Sequence, residues 1–441
     1  MLLVYSPKVT NRIGYIFNLI FKNILNCEFE MTTDSDLFEK HDGAKLCYAK
    51  SKNTDNCVFV KSDELLFQHS ITDVELRCFE YDGVPAFFGN HDDNADIPFD
   101  MFAASFYLVS RYEEYMPFRT NEFGCFSSQE SFALKHNFLH KPVIDIWARR
   151  LATIINQRFP QWEIPQHYFN FISTVKIGQA YKYKRLGILR TIYGYCHDMG
   201  KRDWRQVKER TQVLLSRTPD PYDRYEQIVM LTRKYHHKIL FWSLMCNYSP
   251  YDHNISYRNN HLRYMLKHLA DYGKVGLSLS YETTGHLENK EKEAQRLADV
   301  LHKPVIRGRF NYNRFFLPND YKDLIDIGIE KDYSMGFHDQ TGFRAGTCTP
   351  FHFFNLDSNS ETNLLVYPTP VPDSIFYKLT PDEAWETIKS VITDINAVGG
   401  TFVSTWKLDY FTNEKITEIY ENIMALCKEL KDNNQLKNNS L

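Results

Sequence analysis

The chain has 441 residues, 43% of them apolar, and its 52 Lys and Arg against 55 Asp and Glu leave a net charge of −3. That length allows two or three domains and that apolar share allows a substantial core. The near balance of charge argues against a wholly disordered chain and against a generic polyanion binder. Rings are abundant, with 28 Tyr, 32 Phe and 6 Trp; sugar-binding clefts use such rings, although most are expected in the core.

The first residues, Met1-Leu-Leu-Val-Tyr-Ser-Pro7, put no basic region ahead of an apolar run, so no secretory signal is expected. The most apolar stretch, 13–25, is broken by Asn18, Lys22 and Asn23 and is too short to span a bilayer. Nine scattered cysteines without a C-x-x-C pair read as reduced structural thiols, which points to the cytoplasm. Residues 1–165 mix short apolar runs with Asn and Asp turn residues, and read as a smaller α/β domain. Asp92-x-Asn94-x-Asp96 starts like a calcium loop, but Ile97 and Ala103 occupy the sixth and twelfth positions, so a surface turn is expected. After Pro98 the spacing predicts a helix over 99–115 with Phe102, Ser105, Phe106, Leu108 and Val109 on its buried face. A second helix is expected over about 144–158. Pro160 and Pro165 then mark a domain boundary.

From 166 to 432 the pattern alternates. Segments 169–177, 239–245, 275–281, 304–309 and 401–406 read as strands, and 256–272, 287–302 and 380–398 as helices. In the last helix Thr380-Pro-Asp-Glu383 makes a capping box with Pro at the first helical position, and Gly399-Gly400 stops it. Residues 433–441 form a polar tail expected to fray. Such alternation favours a parallel α/β sheet or barrel, with chemistry at the C-terminal ends of the strands.

The chain has no H-E-x-x-H, no phosphate-binding G-x-x-x-x-G-K-S/T, no G-x-S-x-G and no DNA-binding motif. It does contain Asp332-Tyr-Ser-Met-Gly-Phe-His-Asp-Gln-Thr-Gly-Phe-Arg-Ala-Gly-Thr-Cys-Thr-Pro-Phe351. This resembles the arginine-motif region of the polysaccharide deacetylases (carbohydrate esterase family 4, NodB-like). Pro98-Phe-Asp-Met-Phe-Ala-Ala-Ser-Phe-Tyr-Leu-Val-Ser-Arg-Tyr-Glu-Glu-Tyr115 and Pro142-Val-Ile-Asp-Ile-Trp-Ala148 are similar to the Bacteroidetes branch with an uncharacterised N-terminal domain. The resemblance implies a distorted (β/α)7 barrel over 166–432, hydrolysis of acetyl groups from polysaccharides, and one zinc held by an Asp and two His. It also implies an Asp base and a late His acid, because the metal polarises the acetyl carbonyl and acidifies a water that the base deprotonates.

All five positions that would carry this chemistry are changed. In Thr174-Val-Lys176-Ile-Gly178, Lys176 stands at the base position and Gly178 at a ligand position. Ser278, in Gly276-Leu-Ser278-Leu-Ser280, replaces one ligand His, and Asn311, in Arg309-Phe310-Asn311, replaces the other. Lys407, in Trp406-Lys407-Leu408, stands at the acid position. A glycine, a hydroxyl and an amide beside an ammonium do not hold zinc, so no cofactor is expected. Arg344 matches the arginine that pairs with the base. Asp373 matches the carboxylate that tunes the acid, and is expected to pair with Lys407. Lys176 beside Arg344 would concentrate positive charge suited to a carboxylate or phosphate. Lys176, Gly178, Ser278, Arg309, Asn311, Arg344, Asp373, Trp406 and Lys407 are therefore the candidate pocket residues.

No new metal site is expected from the histidines, since His236 and His237 point apart and His338 and His352 stand alone. Residues 176–217 hold eleven Lys and Arg against Asp198, Asp203 and Glu209, a surplus of eight interleaved with Tyr181, Tyr183, Tyr193, Tyr195 and Trp204. That stretch suits an anionic polysaccharide, nucleic acid or membrane surface. The leading expectation is a catalytically degenerate deacetylase-like barrel that binds carbohydrate or acts as a scaffold in cell-surface polysaccharide metabolism. A working hydrolase with an unrecognised site, using Lys176 as nucleophile or base, is the second expectation. An adaptor for anionic surfaces is the third.

Overall fold

The structure is a computed structural model that describes residues 1–164, 166 and 168–439; the boundary read at Pro165 and the last two residues of the tail lie outside them. Strands β1 (Leu2–Tyr5), β2 (Phe29–Thr32), β3 (Ala44–Ala49) and β4 (Val58–Lys61) form a parallel sheet in the order β2-β1-β3-β4. Leu2, Val4, Leu46 and Val58 belong to the main core, while Leu3, Tyr5, Cys47 and Phe59 form a second cluster on the opposite face. Covered on both faces, β1, β3 and β4 are buried along nearly their whole length, whereas the edge strand β2, Phe-Glu-Met-Thr, exposes Glu30. A short hairpin follows, β5 (Phe79–Tyr81) and β6 (Val84–Ala86).

The apolar stretch 13–25 is the buried helix Asn11–Phe17, continued by a wider helical turn, Asn18–Ile24. In the 92–96 turn, Asp92 holds Lys61 at 3.2 Å and Asp96 holds Arg158 at 2.7 Å.

The helix expected over 99–115 spans only Met101–Val109, capped by the Asp100 carboxylate, and it is buried on every side rather than on one face. It stops because Arg111 takes a left-handed φ of 55°, after which Tyr112–Tyr115 makes one tight turn. That break turns the Arg111 guanidinium onto Glu114 at 2.7 Å and onto the carbonyl of Arg344, 233 residues away. The next long helix, Val143–Arg158, sends Asp145 into the same loop, where it accepts hydrogen bonds from Cys348 N at 3.1 Å and Thr349 Oγ1 at 2.6 Å.

The second sheet has eight strands: β7 (Asn170–Ile177), β8 (Lys238–Leu244), β9 (Lys274–Leu279), β10 (Arg307–Phe310), β11 (Lys331–Met335), β12 (Phe351–Asn355), β13 (Ser360–Pro368) and β14 (Thr401–Lys407). Their order is β12-β13-β11-β10-β9-β8-β7-β14, with all neighbours parallel except the antiparallel edge strand β12. The sheet is curled. Trp242 on β8 and Tyr333 on β11 have ring centroids 5.0 Å apart although two strands lie between them, a separation of about 14 Å in a flat sheet.

Helices Asn260–Tyr272, Leu287–Leu301 and Pro381–Val398 cover the sheet. The last carries the expected capping box, and Gly399 ends it at φ 73°, a conformation costly for any residue with a Cβ. Of the segment read as a polar tail, residues 433–439 continue the helix Glu414–Asn439. One hydrophobic core runs through both sheets, joining for example Phe102 and Phe106 to Phe354 and Val366. Among the described residues no helix is long and apolar enough to cross a membrane.

Candidate functional site

Side chains alternate along a strand, so Thr174 and Lys176 point into the curl of the sheet while Val175 points out to the helices. Register then builds a row at the C-terminal ends of the strands. Lys176 pairs in register with Lys407 on β14 and with Trp242 on β8, and Ser278 on β9 pairs with Arg309 on β10. Gly276 lies opposite Trp242, where a Cβ would run into the indole ring.

This row opens into a cleft of about 190 Å³ lined by Lys176, Gly178, Tyr251, Asn311, Tyr312 and Lys407, with Tyr222, His253 and Asp409 also on its walls. The Lys176 ammonium donates to Asn311 Oδ1, lies 3.8 Å from Asp373 Oδ2, and sits over the Tyr312 ring at 5.2 Å. Asn311 donates onward to Asp252 Oδ1, and Asp252 also accepts from the backbone of Tyr281 at 2.6 Å. Arg309 approaches Asp373 Oδ2 at 3.5 Å. Both contacts to Asp373 are ion pairs longer than a good hydrogen bond, and that oxygen has no hydrogen-bond donor among the described residues.

Burial pushes the Lys176 ammonium down to about 8; Asp373 opposes that shift, while Lys407 and Arg309 add to it. Burial also works against the Asp373 carboxylate, but Lys176, Lys407 and Arg309 outweigh it and hold Asp373 well below the usual carboxylate range. Asp252 is raised, chiefly by burial. The centre is thus a buried carboxylate ringed by three cations.

Tyrosines supply the walls. Tyr251 and Tyr281 stack at 3.9 Å, and Tyr312, held at a left-handed φ of 60°, donates its hydroxyl to the carbonyl of Tyr251 at 2.6 Å. Phe123 from the N-terminal region stacks on Tyr312 at 5.1 Å, and Arg314 donates to the Phe123 carbonyl at 2.9 Å. The N-terminal region therefore backs one wall of the cleft.

Of the residues singled out in the sequence, Lys176, Gly178, Asn311 and Lys407 meet at the cleft, and Ser278, Arg309 and Asp373 lie buried behind it. Trp406 does not face it. As the neighbour of inward Lys407 it points outward, packed on Tyr420 with centroids 5.0 Å apart. Arg344 is not beside Lys176; it donates to both oxygens of Glu114, at 2.8 and 2.7 Å. Asp373 pairs with Lys176 and Arg309 rather than with Lys407. Lys407 rests over the Tyr377 ring at 4.4 Å and has no ion pair among the described residues.

The residues present do not fit the zinc that the resemblance implies. Gly178 offers no donor, Asn311 is spent on Lys176 and Asp252, and an ammonium stands at the centre of the set. Among the described residues no three His, Cys, Asp or Glu side chains are grouped to hold a metal ion.

Asp252, Tyr251, Tyr312 and Glu293 were not singled out by sequence. Asp252 and Tyr251 lie just beyond the C-terminal end of β8, the place where barrels gather chemistry. Glu293 is buried beneath, accepting from Ser280 Oγ at 2.5 Å and Ser280 N at 3.1 Å, with its carboxyl raised by burial to about 7.

Residues 2–160 match the model of DUF7033, described as a family of unknown function. No curated protein matches the chain. Among solved structures, a Mycobacterium smegmatis protein assigned as a polysaccharide deacetylase is 11% identical at a TM-score of 0.40, over 59% of this chain and 84% of that one. The Puue allantoinase is 11% identical at a TM-score of 0.38, over 61% of this chain and 87% of that one.

Proposed function

We propose that the cleft binds an acidic sugar unit of a polysaccharide without hydrolysing it, on a NodB-like (β/α)7 barrel whose metal and acid/base residues have been replaced. The observation that carries this reading is the pair Lys176 and Lys407, in register on adjacent strands and both on the cleft wall. Lys407 has no ion pair among the described residues, whereas Lys176 and Arg309 both lie against Asp373; Asp252 and Asp409 also stand at the cleft, so the unmatched group is Lys407 itself. A ligand carboxylate would give Lys407 the partner it lacks. Tyr251 and Tyr222 on the cleft wall are aromatic residues of the kind that suit a sugar ring. Membership in cell-surface polysaccharide metabolism follows from the motif resemblance.

A second reading, a metal-free hydrolase using Lys176 as base or nucleophile, is favoured by the lowered value of about 8 for that ammonium. Calorimetric titration with uronic-acid oligomers and their neutral counterparts, alongside acetate release from acetylated oligomers, separates the two. Binding of the acidic oligomers alone, weakened about tenfold or more by Lys407→Met, with no acetate released, is the expected result. Equal binding of neutral oligomers would overturn the charge argument, and acetate release abolished by Lys176→Met would establish the second reading.

A further inference from the structure

Immediately after the cleft residues Lys176 and Gly178, the chain leaves the sheet as a helical hairpin, Ile188–Gly200 and Trp204–Leu214, before returning to β8. Its first helix is amphipathic in an inverted sense. The polar and small face is turned to the second helix: Asp198 takes Arg210 through two hydrogen bonds of 3.1 and 2.7 Å, Tyr195 and Thr211 share a hydroxyl contact of 2.9 Å, and Gly194 makes room for the Arg210 guanidinium. The apolar face is turned to solvent. Ile188 is 80% exposed, Leu189 83%, Ile192 55% and Tyr193 72%, with Trp204 of the second helix at 65%. Positions 188, 192, 196 and 199 follow the helical repeat, so this is a continuous stripe rather than scattered exposure.

The exposed charges around the stripe are mostly positive. Arg185, Lys201, Arg202, Arg205 and Lys208 are exposed. Of the three acids of the hairpin, Asp198 is paired with Arg210 and Glu209 with Lys182 and Tyr183, while Asp203 caps the second helix and holds only neutral Gln206. Arg190 ties the hairpin to the cleft rim, donating to the Asn254 carbonyl at 2.9 Å and lying over the Tyr248 ring at 4.1 Å.

We propose that this hairpin docks the protein on an anionic phospholipid surface, with Ile188, Leu189 and Ile192 entering the acyl boundary, Tyr193 and Trp204 at headgroup level, and the cations on the headgroups. A lipid surface uses both features at once. Nucleic acid would take the cations but leave the aliphatic stripe in water. A second copy would cover the stripe but set two strongly positive hairpins against each other. The inference is independent of the sugar-binding reading.

The test is sedimentation of the full chain with phosphatidylcholine vesicles, with and without phosphatidylglycerol, followed by Trp fluorescence. Binding is expected only with phosphatidylglycerol, with a blue shift that Trp204→Phe removes. Leu189→Ser/Ile192→Ser and Lys201→Glu/Arg202→Glu should each weaken it by about tenfold or more; both pairs are exposed, and circular dichroism checks that the fold is kept. Equal binding to neutral vesicles, or indifference to either double variant, overturns the proposal. So does preferential binding to duplex DNA unaffected by Leu189→Ser/Ile192→Ser, or self-association that this variant abolishes.

Discussion

Arg344 and Glu114 form a two-point ion pair, 2.8 and 2.7 Å, across the junction of the N-terminal region and the second sheet, and both side chains are about 2% exposed. Arg111 reaches the same carboxylate at 2.7 Å, and burial of Glu114 is outweighed by the two guanidiniums, which hold its carboxyl below the usual range. Arg344 therefore clamps the two halves of the chain.

Removing one member leaves a buried charge without its partner, so Glu114→Gln or Arg344→Met should destabilise the whole chain by about 3–5 kcal/mol. The folded Glu114 carboxyl lies below its unfolded value of 4.5, so its stabilisation is present above pH 4.5 and lost as pH falls further. Urea unfolding at neutral pH measures the first effect. A loss under about 1 kcal/mol would mean that the pair behaves as a surface contact.

The Lys176 ammonium should titrate near 8 instead of 10.5. Its folded value is depressed, so the buried charge costs stability below about pH 8, and that cost is relieved as pH rises from about 8 to 10.5. Asp373→Asn removes the opposing carboxylate and should lower the midpoint further. Lys407→Met removes a like charge and should raise it. Acylation rate of Lys176 against pH, read by peptide mass, reports all three midpoints.

How much of this could be read from the sequence depended on burial and distance. The apolar run of β8 and the Phe, Ile, Val and Leu residues of β7 and β9 mark these strands to within two residues of their ends. No apolar run marks β11, because its Asp332 and Ser334 are buried but paired to each other and to Tyr321. The four-residue strands of the N-terminal sheet are too short to carry a period. Lys176, Asn311 and Lys407 were reachable through motif positions, and the period of two already implies that Trp406 and Lys407 cannot both face inward. The Arg344–Glu114 contact spans 230 residues, which no spacing rule reaches.

Glu293 offers a second pH test, of opposite sign. Its folded value is raised by burial to about 7, so the protonated form contributes stability that is complete below pH 4.5 and lost as pH rises through about 7. Glu293→Gln keeps the hydrogen-bonding shape without the charge. The melting-temperature difference between variant and parent should therefore move in the variant's favour between pH 4.5 and 8. Since other buried carboxyls remain in both proteins, the difference isolates Glu293, and a pH-independent difference would show that its carboxyl titrates alike in the folded and unfolded chain.

Gly276 tests the interior of the curled sheet. On a parallel strand any residue could satisfy the backbone, so the glycine is explained only by Trp242 lying across it, with Arg307 O as a further neighbour at 3.1 Å. The indole bridges β8 to Tyr333 on β11 and so fills the curl from inside. Gly276→Ala forces that ring aside and should cost about 1–3 kcal/mol, as overpacking of a filled core does. If the clash is the cause, the alanine should cost less when Trp242→Phe has already shortened the ring, a positive coupling that a double-mutant cycle in urea would measure. Equal cost in both backgrounds would place the penalty in the backbone and leave the glycine without a packing reason.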